Sequence, residues 1–487
     1  MFPSLIRCAA VATICAFVAA GAVAQNHKEE YEKFRQEALG KYTSFREEAN
    51  RRYAEFIKEG GKWFEGSAPL PKPQELNPLP PRKFPGEREE KPKVTEPEVV
   101  KPEPVTPQPV PKEPIREVPD PGAEYFEVDF YGISPKVRLP ESARMSIPEA
   151  TPELVSDGWN KLSGQEMDNA VRDCLETRIR YDMCDWAYIN FLSKLSIKFC
   201  GEGNAATLLM AYLYSQSGYS MRLAFDGTRL VLLFGSSHNI FDKSNFSLNG
   251  ISYYPWGPNV QRLNIIDYEF DGEKPLSLLI PKEQKLGGKM SPDRVITSRK
   301  YPSVTPAVGV PLSLIDFYGT YPTSAIDGNM MSRWAMYGNT PLSQKTRDML
   351  YPKLRQAING KSQEAAANVL LDWVQTGLVY EYDDKVWGHD RVFFAEESLF
   401  YPYADCEDRA VLFSHLVRDL LGLDVALVYY PNHLATAVRF TDNVAGDAMQ
   451  VGQTRYVVCD PTYIGAPVGM QMPNLDCSKV QCLVLDR

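Results

Sequence analysis

The chain predicts an α+β protein in which a helix packs on an antiparallel sheet, the arrangement occurring twice behind a long N-terminal helix and a proline-rich linker. Three observations predict it. Ala410, Leu412, Phe413, Leu416, Val417, Leu420 and Leu421 recur at helical spacing until Gly422, and β-branched and aromatic runs follow. A fainter helix, glycine and strand pattern stands 204 residues upstream. Between about 69 and 121 the composition shifts to Pro, Glu, Lys and Val, as in KPEPVTPQPVPKEP, which cannot bury a core.

From the N-terminus, residues 1–24 combine Arg7, an apolar stretch from Cys8 to Val23 and an Ala22-Val23-Ala24 cleavage pattern, the marks of a secretory signal peptide. The expected location is the periplasm or outside the cell. No later stretch is apolar for long enough to span a bilayer. Residues 25–66 form a helical arm with an eleven-residue repeat, YEKFRQEALGK, YTSFREEANRR and YAEFIKEGGKW. It sets Tyr31, Phe34, Ala38, Tyr42, Phe45, Ala49, Tyr53 and Phe56 on one stripe. A stripe of that kind needs a partner, which is a second copy, a membrane surface or the rest of the chain; self-association or docking on a partner is favoured, because the basic bias of a membrane helix is lacking. Residues 67–122 then read as a semi-rigid spacer that holds the rest away from whatever the arm binds.

Residues 123–300 hold the fainter copy. Gly201–Gly218 and Met221–Phe225 align with the later helix and strand at a shift of 204. In that register Glu202 and Arg229 replace the residues that carry chemistry in the second copy, and Ile251–Trp256 lacks a carboxylate. The first copy is therefore expected to be inactive. A two-residue slip offers Cys200 with distant His238 but no orienting acid.

Residues 301–487 hold the informative copy. Cys406 opens the helix that Gly422 closes, where a thiolate meets unpaired N–H groups and the positive end of the dipole. Asp405, Glu407 and Asp408 oppose that effect. Val425–Tyr430 reads as a strand, Pro431-Asn432 as a turn, and His433–Phe440 as a second strand headed by the histidine. A third run, Arg455–Cys459, stops at Asp460-Pro461. If these strands pair antiparallel, Asp460 orients the His433 ring, and Cys406, His433 and Asp460 supply nucleophile, base and orienter.

The blocks ADCEDRAVLFSHLVRDLLGL, HLATAVRF and VVCDPTY resemble the transglutaminase-like superfamily, whose papain-like core carries a cysteine, histidine and aspartate in this order. The resemblance covers roughly residues 345–470. It implies that Cys406 attacks an amide, that His433 serves as base and then acid, and that Asp460 orients it. The family's usual aromatic two residues after the histidine is Ala435 here. The backbone N–H of Cys406 is a natural oxyanion donor, and Trp387 or His389 is a candidate for the second.

A net charge of −9 disfavours nucleic acid. No phosphate loop, cofactor motif or metal cluster stands out, and Cys459, Cys477 and Cys482 lack zinc-site spacing. Cys174, Cys184, Cys200, Cys406, Cys459, Cys477 and Cys482 remain beyond residue 24. That odd number fits one reactive thiol with up to three disulfides, or all thiols reduced. The expected activity is acyl transfer from protein or peptide amides through a thioester, hydrolysis first and cross-linking second. The rival is a catalytically inactive scaffold in which both copies bind a protein or peptide.

Overall fold

A computed structural model describes residues 45–72, 79–88, 91–101, 117 and 124–486. The signal-like segment and the first repeats of the arm lie outside the described residues, as does half of the proline-rich tract. Among the described residues the protein is mixed α+β, with two large curled sheets, and no helix is long and apolar enough to cross a membrane.

Helix α1 (45–58) runs into β1 (Lys62–Glu65), an edge strand of the first sheet. Its buried face is Asn50, Tyr53, Ala54 and Ile57, while Phe45 is 55% exposed. The predicted stripe is thus rotated, and its partner is the chain itself. Tyr53 packs on Trp159, Tyr268 and Phe270. The Asn50 and Gln216 amides bond each other at 3.1 Å in both directions, and Trp159 Nε1 donates to Asn50 at 3.2 Å. Buried polar groups must be paired, so these bonds fix which face turns inward. Of the partners expected for the stripe, this stretch takes the chain itself in place of the favoured self-association or separate partner.

The linker is corrected too. Its short strands β2 (Val94–Thr95) and β3 (Glu98–Val99) pair in parallel with the two outer strands of the second sheet. The chain then returns to the first unit through β4 (Phe126–Glu127), paired with β5 (Lys136–Val137). Helices α2 (Pro152–Leu162), α3 (Met167–Arg180), α4 (Asp185–Cys200) and α5 (Asn204–Gln216) follow. Next come β6 (Met221–Asp226), β7 (Arg229–Ser236), β8 (Asn239–Ile240), β9 (Phe246–Leu248), β10 (Ile251–Pro255) and β11 (Arg262–Ile266). The first sheet has the order β1-β11-β6-β7-β10-β9.

A connecting region carries β12 (Arg294–Val295) paired with β13 (Ala307–Val308), α6 (Leu312–Tyr318), and β14 (Ser324–Ala325) paired with β8. The Arg294 guanidinium donates to the carbonyls of Ser398 and Leu399, so this region packs on the residues just before Cys406. Helices α7 (Met330–Asn339), α8 (Gln344–Ile358), α9 (Gln363–Gly377), α10 (Asp383–Val386), α11 (Ala395–Phe400) and α12 (Cys406–Leu421) precede the second sheet. Its strands are β15 (Asp424–Tyr430), β16 (His433–Arg439), β17 (Ala448–Val451), β18 (Thr454–Cys459) and β19 (Gln481–Val484), in the order β2-β17-β18-β16-β15-β19-β3.

Only Glu96 and Pro97 separate β2 from β3, a reach of about 10 Å. Seven strands laid flat would hold those edges about 29 Å apart. The sheet is therefore rolled, with Val94–Val99 stitching its two margins together. Alternation along the strands divides the side chains. Val425, Leu427, Leu434 and Val438 join α12 in the main core, whereas Ala426, Val428, Ala435, Ala437, Val458 and Cys482 form a second cluster. The strand order β17-β18-β16-β15-β19 matches β9-β10-β7-β6-β11 of the first sheet strand for strand.

Candidate active site

Each of the three singled-out residues stands at an element end, and the lengths bring those ends to one level. Helix α12 rises about 24 Å over its residues. After the left-handed Gly422 (φ 66°), β15 runs back about 20 Å. Cys406 at the helix start is thereby level with Tyr430 and with His433, which faces Tyr430 across the hairpin. Helix α12 packs directly on β15 and β16. The chain folds locally in this way because Asp405 caps the helix by accepting from Asp408 N, Asp408 accepts in turn from Asp405 N, and Asn432 takes the positive φ of the two-residue turn.

His433 and Asp460 meet as the sequence predicts. His433 Nε2 lies 2.9 Å from Asp460 Oδ2, and both side chains are buried. Asp460 Oδ1 accepts from Thr462 N at 2.8 Å and Tyr463 N at 3.2 Å, so the carboxylate is oriented by backbone before it orients the ring. His433 Nδ1 is buried and has no hydrogen-bond partner among the described residues. With Nε2 engaged, Nδ1 is the nitrogen left to exchange a proton.

Cys406 is 1% exposed, and its thiol donates to Glu407 Oε2 at 3.0 Å. The structure thus assembles the imidazole–carboxylate pair and sets the thiol at the same end of the sheet, where Glu407 accepts a hydrogen bond from it. Burial, followed by the charge of Asp390, pushes the Glu407 carboxyl up. Burial likewise holds Asp408 well above the usual carboxylate range, with Asp383 and Glu407 adding to it. Raised carboxyls carry less negative charge, which weakens the opposition these acids offer to a thiolate.

Two residues that hold the site together escape the sequence reading. Arg409 is fully buried and donates to the carbonyls of Ala404, Gln375, Leu378 and Pro461 at 3.0–3.5 Å. Burial lowers its pKa to about 10. Gln375 Nε2 donates to Asp460 O at 2.9 Å and Ala466 O at 3.1 Å, and its Oε1 accepts from Gly465 N at 3.0 Å. Together they tie the start of α12 and the end of α9 to the Asp460 loop. The one advance signal is a charged arginine inside an otherwise apolar helix face.

A carboxylate cluster also forms that the sequence scatters. Asp383, Asp390 and Glu407 bring oxygens within 4.8 Å of one another, a donor set that could hold a metal ion. The buried Arg333 guanidinium lies on Asp390. Burial and then Glu407 push Asp383 up to about 8.

Trp387 packs edge-on against Phe393 and Tyr401 beneath Arg391, while His389 is exposed and its Nδ1 lies 2.9 Å from Trp387 O. His415 is buried in α12, and burial lowers its pKa to about 3. Cys200 ends α4 rather than opening a helix. The seven cysteines among the described residues are free thiols.

In the first sheet the matching positions carry no such chemistry. Arg229 opens β7 opposite Asp226, as His433 opens β16 opposite Tyr430. The residue opening α5 is Asn204, so the helix-start register replaces the predicted Glu202. Its amide bonds Thr228 O at 3.0 Å and Leu230 N at 2.8 Å, a stitch across the hairpin. Continuing the β10–β7 register past Pro255↔Leu233 sets Gly257 where Asp460 stands in the second unit. No family model matches the sequence, and no curated protein matches it at a significant level.

Proposed function

We propose that this protein is a transglutaminase-like thiol acyltransferase acting on amide bonds of proteins or peptides, with a duplicated core whose first copy is catalytically dead. One observation carries the reading: the buried His433–Asp460 pair, with His433 Nδ1 unbonded, at the sheet end that the Cys406 helix start also reaches. Cys406 gives its proton to Nδ1 and attacks the carbonyl carbon. The C–N bond breaks as His433 returns the proton to the leaving amine, and a thioester remains. Water or a second amine, deprotonated by His433, then releases the acyl group and restores the thiol. Hydrolysis is the primary outcome and cross-linking the second. The duplication rests on the matching strand orders and on Asn204, Arg229 and Gly257 standing where Cys406, His433 and Asp460 stand.

The thiol's bond to Glu407 favours the rival reading, a binding scaffold that retains the residues without the chemistry. The test is the pH profile of Cys406 alkylation by iodoacetamide, followed by peptide mass spectrometry. An activated thiol gives a midpoint well below pH 8 that shifts up by at least one unit in His433→Ala. A midpoint at the ordinary thiol value, unchanged in the variant, establishes the scaffold.

A further inference from the structure

The proline-rich segment does more than link. Leu79 N donates to Asn432 O at 3.1 Å, the residue just before His433. Phe84 N donates to Ile464 O at 2.9 Å, and Ile464 N donates to Arg82 O at 2.8 Å, which makes Lys83 and Ile464 a parallel bridge in the loop that follows Asp460. Lys83 is exposed, while Arg82 and Phe84 are half-buried. The Phe84 ring meets Tyr463 edge-on at 5.7 Å and packs with Ala466 and Met472. Arg88 anchors the end, donating to Asp447 Oδ2 at 2.6 Å and Gly469 O at 2.9 Å.

We propose that Leu79–Arg88 is a strap filling, in cis, the groove in which this site binds its substrate, and that the substrate is an extended peptide with a large apolar side chain seated on Tyr463, Ala466 and Met472. The substrate class rests on the acyl-transfer reading; the occlusion does not. Main-chain pairing to a loop edge accepts many sequences, and one pocket supplies selectivity. The strap spans from the carbonyl beside the general base to the loop of the orienting acid, and Cys406 at the same end is buried. Beyond the Leu79 N–H that bonds Asn432, the nitrogens of Pro80 and Pro81 carry no hydrogen, so at those two positions the resident strand cannot pair as a substrate would.

The test separates occlusion from activation. At strongly alkaline pH every accessible thiol is ionised, so the plateau of the Cys406 alkylation rate reads access alone, and the midpoint of the profile reads His433. Phe84→Ala/Arg88→Ala in the full chain should raise the plateau at least tenfold. The synthetic peptide LPPRKFPGER, added to that variant, should restore protection, and the same peptide with alanine for phenylalanine should not. A plateau equal to that of the unmodified protein overturns the strap; a peptide that fails to protect overturns the groove. Hydrogen exchange in the unmodified protein reports independently of the variant's folding. Phe84 and Ile464 amides protected like the sheet strands support the strap, and exchange at free-peptide rates overturns it. A midpoint insensitive to His433→Ala sinks the acyl-transfer reading and leaves the plateau result standing.

Discussion

At the scale of single residues, Asp460 does two separable jobs. Its Oδ2 holds the ring, and its Oδ1 accepts two backbone N–H groups. Asp460→Asn retains an oxygen for the backbone while placing an amide donor against the ring. The expected result is a folded protein whose turnover falls on the order of 10³–10⁴-fold, the cost of a mis-set tautomer, measured by comparing circular dichroism with peptide-amide turnover. Asp383 predicts a pH effect. Its carboxyl titrates at about 8 when folded against 3.8 as its ordinary value, so the folded state keeps a proton that the unfolded chain releases. The stability it contributes is complete below pH 4 and is lost as pH rises through 8. Buried Glu396, pushed up to about 7, acts with the same sign. Denaturation at pH 5 and pH 8.5 should therefore show a smaller loss in Asp383→Asn than in the unmodified protein. Cys406, His433 and Asp460 were legible because each stands beside a turn or cap signal in the sequence. Arg409 and Gln375 were not, since their partners are backbone carbonyls brought near only by folding.

At the scale of elements, α12 matches its sequence reading from Cys406 to Leu421, because apolar periodicity and a terminal glycine point the same way. Gly422 has φ 66° and open space where a Cβ would stand. Gly422→Ala should cost about 1 kcal/mol from backbone conformation alone, seen as a lower melting temperature with unaltered alkylation of Cys406. Helix α1 teaches the reverse lesson. Its apolar repeat announces a buried face but not the partner, and the Asn50–Gln216 amide pair rotates that face away from Phe45. Tyr53→Ala should destabilise the protein by about 3–5 kcal/mol in equilibrium denaturation, whereas a free arm would tolerate it. Strands β2 and β3 were illegible because two residues carry no alternation, and the surrounding prolines speak against pairing.

At the scale of the whole molecule, the two units are interleaved rather than strung in series. The chain visits the first sheet with β1, the second with β2 and β3, the first again with β6, β7, β9, β10 and β11, and the second again from β15 onward. Composition marked residues 67–122 as a spacer, since proline-rich chain cannot build a core of its own; it nevertheless completes one built by others. That closure governs when the protein can fold. Glu98 bonds Gln481 across 383 positions of sequence, so the rolled sheet stays open until β19 has been made. Closing so long a loop carries an entropic cost that grows with its logarithm, and contacts of this range slow folding. Refolding should therefore show an early phase for the first unit and a later one in which Val94–Val99 docks. A chain cut short before β19 would lack the strand on which β3 docks, leaving any reactive thiol in a unit whose sheet has not been stitched shut.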